Sequence, residues 1–307
     1  MHRHAPVHIT YIGHATLLVE LGGAVVLTDP NFDAALGPVA VGSRLRRVAP
    51  PGVALGELPP LDAVLVTHAH VDHLSLASLR GIDAGADARG APRPPVLAPP
   101  TVARWLRTEG FATVEALAPG RVRHVGAGAS VGGAGGGPGA AVHVHTAAAA
   151  HVGARWGALD RVRGRVQAQH YLLDAGGGGS VFFASDTALA PGTHRLAHEA
   201  LRGRALDLAL LPIGHAPAWK RRRFRAGHLT AEDALELFGR LGARWMVPHH
   251  WGTFNHVTSD AFGAVRELGA LAPRHPLGGR VRVVGIGERW EVPLNGRGGP
   301  AGSVRPG

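Results

Sequence analysis

The sequence predicts an α+β fold with two halves, each mixing strands with helices. Three observations carry that expectation. Short apolar runs rich in β-branched residues recur along the chain, bounded by Gly and Pro. Helix signals fall between them in both halves, among them Thr230 with Asp233 at the capping-box position. One predicted strand, Leu61-Asp62-Ala63-Val64-Leu65-Val66, runs straight into Thr67-His68-Ala69-His70-Val71-Asp72-His73-Leu74-Ser75, where three histidines and an aspartate crowd a strand end.

In order, residues 7–29 alternate apolar runs with Gly22-Gly23, which predicts a strand and then a β-hairpin ending at Asp29-Pro30. Pro38, Pro50, Pro51, Pro59 and Pro60 make 31–60 a loop, of a length that usually serves function. Leu74–Leu79 opens a helix, Gly81–Pro95 reads as a surface loop, and Val96-Leu97-Ala98 as a strand. Thr101 is the predicted N-cap of a helix through Arg107. Gly126–Ala141, nearly all Gly and Ala, reads as a low-complexity hairpin tip or mobile loop. Strands follow at Val142–Thr146, Ala168–Leu173, Val181–Ala184 and Asp207–Pro212, with a turn at Gly176–Gly179. Thr230 starts a helix to about Leu241, Arg244–Pro248 is a strand, and Ser259–Leu268 a helix. Val281–Ile286 and Arg289–Val292 are expected to close as a hairpin. Residues 1–294 are read as one domain and 295–307, rich in Gly and Pro, as a flexible tail.

Composition bounds the chemistry. With 45% hydrophobic and 18% charged residues, the 307-residue chain has the makeup of a globular protein. No cysteine is present, so any metal is held by nitrogen and oxygen alone. No apolar run approaches the roughly 18–20 residues of a membrane span. Residues 1–6 lack the apolar core of a signal peptide, which makes a cytoplasmic location the expectation, with peripheral membrane association compatible. The net charge is +10, yet Lys220 alone among 32 basic residues is a lysine, a bias that fits a GC-rich coding background. A basic surface would still attract polyanions or lipid headgroups.

The histidine stretch carries the chemistry. Imidazole and carboxylate are ligands of borderline metals, at about 2.0–2.2 Å. In extended or turning backbone His68 and His70 fall on one side while Asp72 and His73 reach a second point, a pattern that suits two metals. The competing reading is a run of surface histidines, since the chain has 20. Spacing at a strand end with an acid between them favours ligands.

His-x-His-x-Asp-His at a strand end resembles the signature of the metallo-β-lactamase-fold hydrolases. Further pieces resemble the branch of N-acyl-phosphatidylethanolamine phospholipase D and the ascorbate-6-phosphate lactonases: Tyr11-Ile12-Gly13-His14-Ala15-Thr16, Leu27-Thr28-Asp29-Pro30, Glu57 to Val64, Phe182 to Thr187, Leu211-Pro212-Ile213-Gly214 and His250-Trp251-Gly252-Thr253-Phe254. They cover roughly residues 8 to 270, and the last two favour the phospholipase side. The resemblance implies a four-layer αβ/βα sandwich and a dinuclear site. It selects His151 over His143 and His145 as the histidine joining His68 and His70, although Val152 follows it here in place of an aromatic residue. It selects His250 over His249. Asp186, after a buried strand, has two oxygens with which to bridge cations, the competing role being an N-cap; relatives usually carry Gly where Ser185 stands. The implied sets are His68, His70, His151 and Asp186 for one metal, and Asp72, His73, His250 and Asp186 for the other. Asp29 is the first candidate to orient these ligands and His14 the second, the competing role for His14 being a structural hydrogen bond.

Two divalent ions, Zn²⁺ first with Mn²⁺ or Fe²⁺ compatible, would lower the pKa of bound water towards ~7 and supply a hydroxide. Asp72 is a candidate proton acceptor, and His228 a candidate donor to a phosphate or leaving oxygen unless it merely precedes a helix. Arg221, Arg222, Arg223 and Arg225 form either a solvated face or an anion-gathering rim beside it. The leading expectation is a phosphodiesterase acting on a small or lipid-headgroup anion. A lactonase or amide hydrolase is the alternative. A nuclease or nucleic-acid binder ranks below both, because the Asp186 to His250 spacing leaves no room for the inserted domain that nucleases of this fold often carry.

Overall fold

Along Ala63–Leu65 and the residue after it, Val64 and Val66 join one apolar cluster while Ala63 and Leu65 join another. A period of two with both faces buried is the mark of a sheet covered on each side. The computed structural model describes residues 6–37, 45–126, 141–152, 167–255 and 260–294. It opens with β1 (Val7–Gly13), β2 (Thr16–Leu21) and β3 (Ala24–Thr28), followed by a small ribbon of β4 (Ala35–Leu36) and β5 (Leu45–Arg46). Next come β6 (Ala63–Leu65), β7 (Val96–Ala98) and β8 (Val114–Ala116). A second series contains β9 (Val122–Val125), β10 (Val142–Val152), β11 (Gln167–Asp174), β12 (Ser180–Phe183), β13 (Leu208–Pro212) and β14 (Trp245–His249). With β15 (Arg289–Val292) these make a seven-stranded sheet, β15-β1-β2-β3-β6-β7-β8, and a six-stranded sheet, β14-β13-β12-β11-β10-β9.

Helices α1 (Leu76–Ala88) and α2 (Pro100–Thr108) cover the outer face of the first sheet through Leu79, Ile82, Val102 and Leu106. On the second sheet lie α3 (Arg195–Leu201), α5 (Ala231–Leu241) and α6 (Gly263–Leu271), with the short α4 (Ala218–Phe224) beside them. The result is the expected four-layer αβ/βα sandwich. Tyr171 ties its two sheets together, its hydroxyl lying 2.8 Å from the Val66 carbonyl and 3.0 Å from that of Leu97.

Several local expectations need correction. Gly81–Pro95 is not a loop to its start, because α1 runs on to Ala88. Gly81 is a close-packing position, where a Cβ would come within 2.4 Å of Leu55 Cδ2. Helix α2 is capped at Pro99 with Pro100 in its first turn, so Thr101 lies inside it; proline suits that turn because its missing N–H would be unpaired there anyway. Val281–Ile286 forms no strand, and β15 pairs with β1, Val7 opposite Val292. The strand expected at Val142–Thr146 continues to Val152. Helices α3 and α4 were not anticipated. The predicted α5 is found as expected, with Thr230 accepting from the Asp233 N–H and Asp233 from that of Thr230. Most of Gly126–Ala141, Ser259 and the tail from Asn295 lie outside the described residues.

Strand direction positions the site. β12, β13 and β14 are parallel, and β10 runs the same way because two antiparallel pairings separate it from β12. Their carboxyl ends therefore share one edge of the sandwich, where His151, Asp186 and His250 occur, and the histidine stretch leaves the carboxyl end of β6.

Candidate metal centre

At that edge the seven predicted ligands come together. Ligand atoms of His68, His70, His151 and Asp186 lie within 4.8 Å of one another, as do those of His14, Asp72, His73 and His250. Asp186 stands between the groups, with Oδ1 3.2 Å from His250 Nε2 and Oδ2 3.3 Å from His73 Nε2. Asp72 Oδ2 is 3.7 Å from His250 Nε2 and 3.8 Å from His73 Nε2. His14, expected to orient a ligand, has Nε2 3.0 Å from Asp72 Oδ2 and its ring 3.9 Å from that of His250.

The backbone aims these side chains. Between Ala148 and Val152 the pairing of β10 with β11 shifts register, four steps on one strand matching two on the other, and the bulge holds His151. His14, Asp29 and His250 have positive φ values of 56°, 33° and 68°, unusual for residues with a Cβ. Three of the four such non-glycine residues among those described thus gather at the centre, where surrounding bonds hold them. The Asp29 N–H donates to the Leu65 carbonyl at 2.8 Å, and the His250 N–H to that of His14 at 2.7 Å.

Hydrogen bonds on the far side of each ring set which nitrogen faces inward. His73 Nδ1 donates to Asp29 Oδ2 at 2.8 Å, leaving Nε2 towards the centre. Thr67 Oγ1 donates to the same Asp29 oxygen at 2.7 Å and accepts from His68 Nδ1 at 2.9 Å, so His68 also turns Nε2 inward. Asp29 Oδ1 accepts from the Thr67 N–H at 2.7 Å. One buried carboxylate thus orients a histidine on each side, as partners behind metal ligands do. His151 Nδ1 donates to the Gly227 carbonyl at 2.8 Å.

This donor set fits metal ions. His68 Nε2 and His70 Nδ1 are 3.0 Å apart, and His151 Nε2 is 3.3 Å from the same His70 atom. Bonds of about 2.0–2.1 Å to a tetrahedral ion would place ligand atoms about 3.3 Å apart. The buried Nε2 atoms of His73 and His250 have no hydrogen-bond partner among the described residues. Burial holds His68 well below the usual imidazole range and brings His151 down to about 4, keeping them neutral as ligands must be. At His73 burial opposes the charge, but Asp186 and Asp72 outweigh it and raise the pKa well above normal.

The remaining candidates are also located. His228 Nε2 is 3.5 Å from Asp186 Oδ2, with the side chain 34% exposed, and its ring stacks on Phe224 at 4.8 Å. His249 turns away and meets the Ala184 carbonyl at 3.1 Å. His143 stacks on His124 at 4.4 Å, and neither it nor His145 joins a ligand group. In the basic run, Arg221 pairs with Glu267 at 2.8 Å and Arg225 with Asp233, whereas Arg222 and Arg223 are exposed without an ion pair among the described residues. Ser185 is accommodated, its N–H donating to His170 Nδ1 at 3.2 Å. Thr67, Gly227 and Phe224 escaped the sequence reading. Thr67 adjoins the first histidine and could have been suspected, but a carbonyl and a stacking ring leave no pattern.

A family model described as "Beta-lactamase superfamily domain" matches residues 25–251. A metal-dependent hydrolase of Rubrobacter xylanophilus is 31% identical over 85% of this chain and 89% of its own length. N-acyl-phosphatidylethanolamine-hydrolyzing phospholipase D 1 of Caenorhabditis elegans is 26% identical over 95% of this chain and 77% of its own. An uncharacterised Mycobacterium tuberculosis protein is 28% identical over 87% of this chain, which spans 64% of that protein. The metallo-β-lactamase fold protein YhfI of Bacillus subtilis superposes with a TM-score of 0.60 at 16% identity, over 94% of this chain and all of that one. No helix among the described residues is long and apolar enough to cross a membrane. With its two-sheet sandwich and its histidine-aspartate cluster, the chain belongs to the β-lactamase superfamily, among its metal-dependent hydrolases.

Proposed function

We propose that the protein is a phosphodiesterase acting on a small or lipid-headgroup anionic substrate, with two divalent cations held at this edge. His68, His70 and His151 would hold one and Asp72, His73 and His250 the other, with Asp186 shared. When bound, such cations, Zn²⁺ or else Mn²⁺ or Fe²⁺, supply Lewis acidity and bring the pKa of water towards ~7. The chain contributes orientation and proton handling. Asp29 fixes the tautomers of His68 (through Thr67) and His73, and the Gly227 carbonyl fixes that of His151. Asp72, held by His14, accepts the proton of the attacking water. His228 Nε2 donates to the phosphoryl or leaving oxygen.

The observation that carries the choice of a phosphodiester is the flank of the centre. A half-exposed histidine faces Asp186 at 3.5 Å, at the end of a turn that carries an arginine-rich helix. Donors and cations on that side suit an anion better than a neutral lactone. The likeness to the nematode phospholipase D supports the same choice. The test is metal analysis followed by turnover of bis-p-nitrophenyl phosphate, N-acyl-phosphatidylethanolamine and a lactone panel. Diester hydrolysis lost on chelation and restored by metal is expected. Faster turnover of lactones than of every diester would sink the reading.

A further inference from the structure

Five large hydrophobic side chains among the described residues are exposed, and four stand on segments that adjoin the centre. Val152, 62% exposed, follows His151. Phe262 packs on Trp251, the neighbour of His250, with ring centroids 6.2 Å apart. Val48 hydrogen-bonds through its N–H to the Thr253 carbonyl, next to Phe254, whose ring meets His14 at 5.4 Å. Trp219 on α4 is the most exposed of all, at 78%. Only Val122 lies elsewhere, on β9.

Helix α4 is braced on one side and free on the other. At 100° per residue, Arg221, Phe224 and Arg225 share a face, as do Trp219, Arg222 and Arg223 at i, i+3 and i+4. The first face is anchored by Arg221 to Glu267, by Arg225 to Asp233, and by Phe224 against Gly214 and His228. A Cβ on Gly214 would stand 2.2 Å from Phe224 Cζ, so that ring is wedged in place. The second face offers solvent one indole and two guanidinium groups, with no acidic partner among the described residues.

Exposed apolar side chains lose by facing water unless something covers them, and such patches mark interaction sites. An indole with arginines beside it matches the headgroup region of an anionic bilayer, where the ring enters the interface and the guanidinium groups meet phosphates. We propose that the Trp219/Arg222/Arg223 face, with Val48, Val152 and Phe262, docks the protein on an anionic lipid bilayer with the metal centre against the surface. The choice of a lipid phosphodiester as substrate rests on the function proposed above, but the docking itself does not. Docking would let a headgroup reach the centre without its lipid leaving the membrane.

The test is co-sedimentation of the whole protein with vesicles of phosphatidylcholine alone and of equal parts phosphatidylcholine and phosphatidylglycerol, at low and high salt. Binding is expected to the anionic vesicles only. Arg222→Gln with Arg223→Gln should weaken it roughly tenfold to thirtyfold at low salt. The equally charged control, Arg89→Gln with Arg104→Gln, should weaken it far less. Trp219→Ala should also reduce binding several-fold while leaving turnover of soluble bis-p-nitrophenyl phosphate unchanged. Equal losses in the α4 and control variants overturn the proposal, as does binding to polyglutamate but not to vesicles, which would assign the face to an acidic protein. Vesicle binding without turnover of any phosphodiester upholds the docking face and overturns the phosphodiesterase reading. Diester turnover without vesicle binding does the reverse.

Discussion

The centre and helix α4 are neighbours built on opposite plans. In the centre the carboxylates are met: Asp186 lies among His73, His228 and His250, and Asp29 is fully buried with both oxygens bonded. On α4 only the inward face is paired, and its outward cations face water. Removing one partner from a buried set leaves an uncompensated group, whereas exposed charges act weakly through a screening solvent. A change in the centre should therefore be large and insensitive to salt, and one on the outward face of α4 small and salt-sensitive.

The largest effect is expected from Asp186→Asn, and with it His68→Ala and His250→Ala. Each should bring hydrolysis to background and lower the metal content of the purified protein; wild-type metal and retained activity in Asp186→Asn would overturn its proposed sharing by two cations. His228→Ala should be milder, a loss of about 10²–10⁴ in rate with full metal content, because this ring is proposed to touch substrate only. Asp29→Asn keeps the shape but loses the charge that two histidines rely on, and metal affinity should fall about 10–100-fold. If only one metal equivalent is weakened, the shared role is wrong. Phe224→Ala frees the His228 ring and should cost about tenfold in kcat with little change in KM, Phe224→Leu costing less. Equal losses in both would mean that stacking is not what matters. The smallest effect belongs to Arg222→Gln with Arg223→Gln on a soluble charged diester. It should be a drop in kcat/KM of a few-fold at low salt that vanishes over the ~8–10 Å screening of 0.1–0.15 M salt. A loss that persists at high salt would make the outward face part of the buried plan.

The two regions also differed in how far the sequence disclosed them. His68, His70, Asp72 and His73 sit at a strand end within six residues, so their grouping is local and legible. His151, Asp186 and His250 were placed through resemblance, and parallel strand ends explain why such distant positions meet. His151 was expected beyond its strand because Ala147–Ala150 has no strand-like alternation; the continuation of β10 and its bulge come from pairing with β11, which no local pattern reports. Helix α4 was missed for a related reason. Lys220 to Arg223 has no apolar period, and what holds the turn is Glu267, Asp233 and Gly214, each remote or on another element. The end of α1 was missed as well: Gly81–Pro95 reads as a loop, while Leu79, Ile82 and Ala86 carry a buried stripe past Gly81 and Gly85.

Asp29 has one more consequence. Fixing His68 also fixes Thr67 and, through it, the carboxylate that holds His73. If the centre holds two cations as proposed, filling one side would order a ligand belonging to the other, and the two sides would load as linked equilibria, each favouring the other by the same factor. A metal titration of the wild type should rise more steeply than two independent sites allow, and the half-filled protein should be scarce.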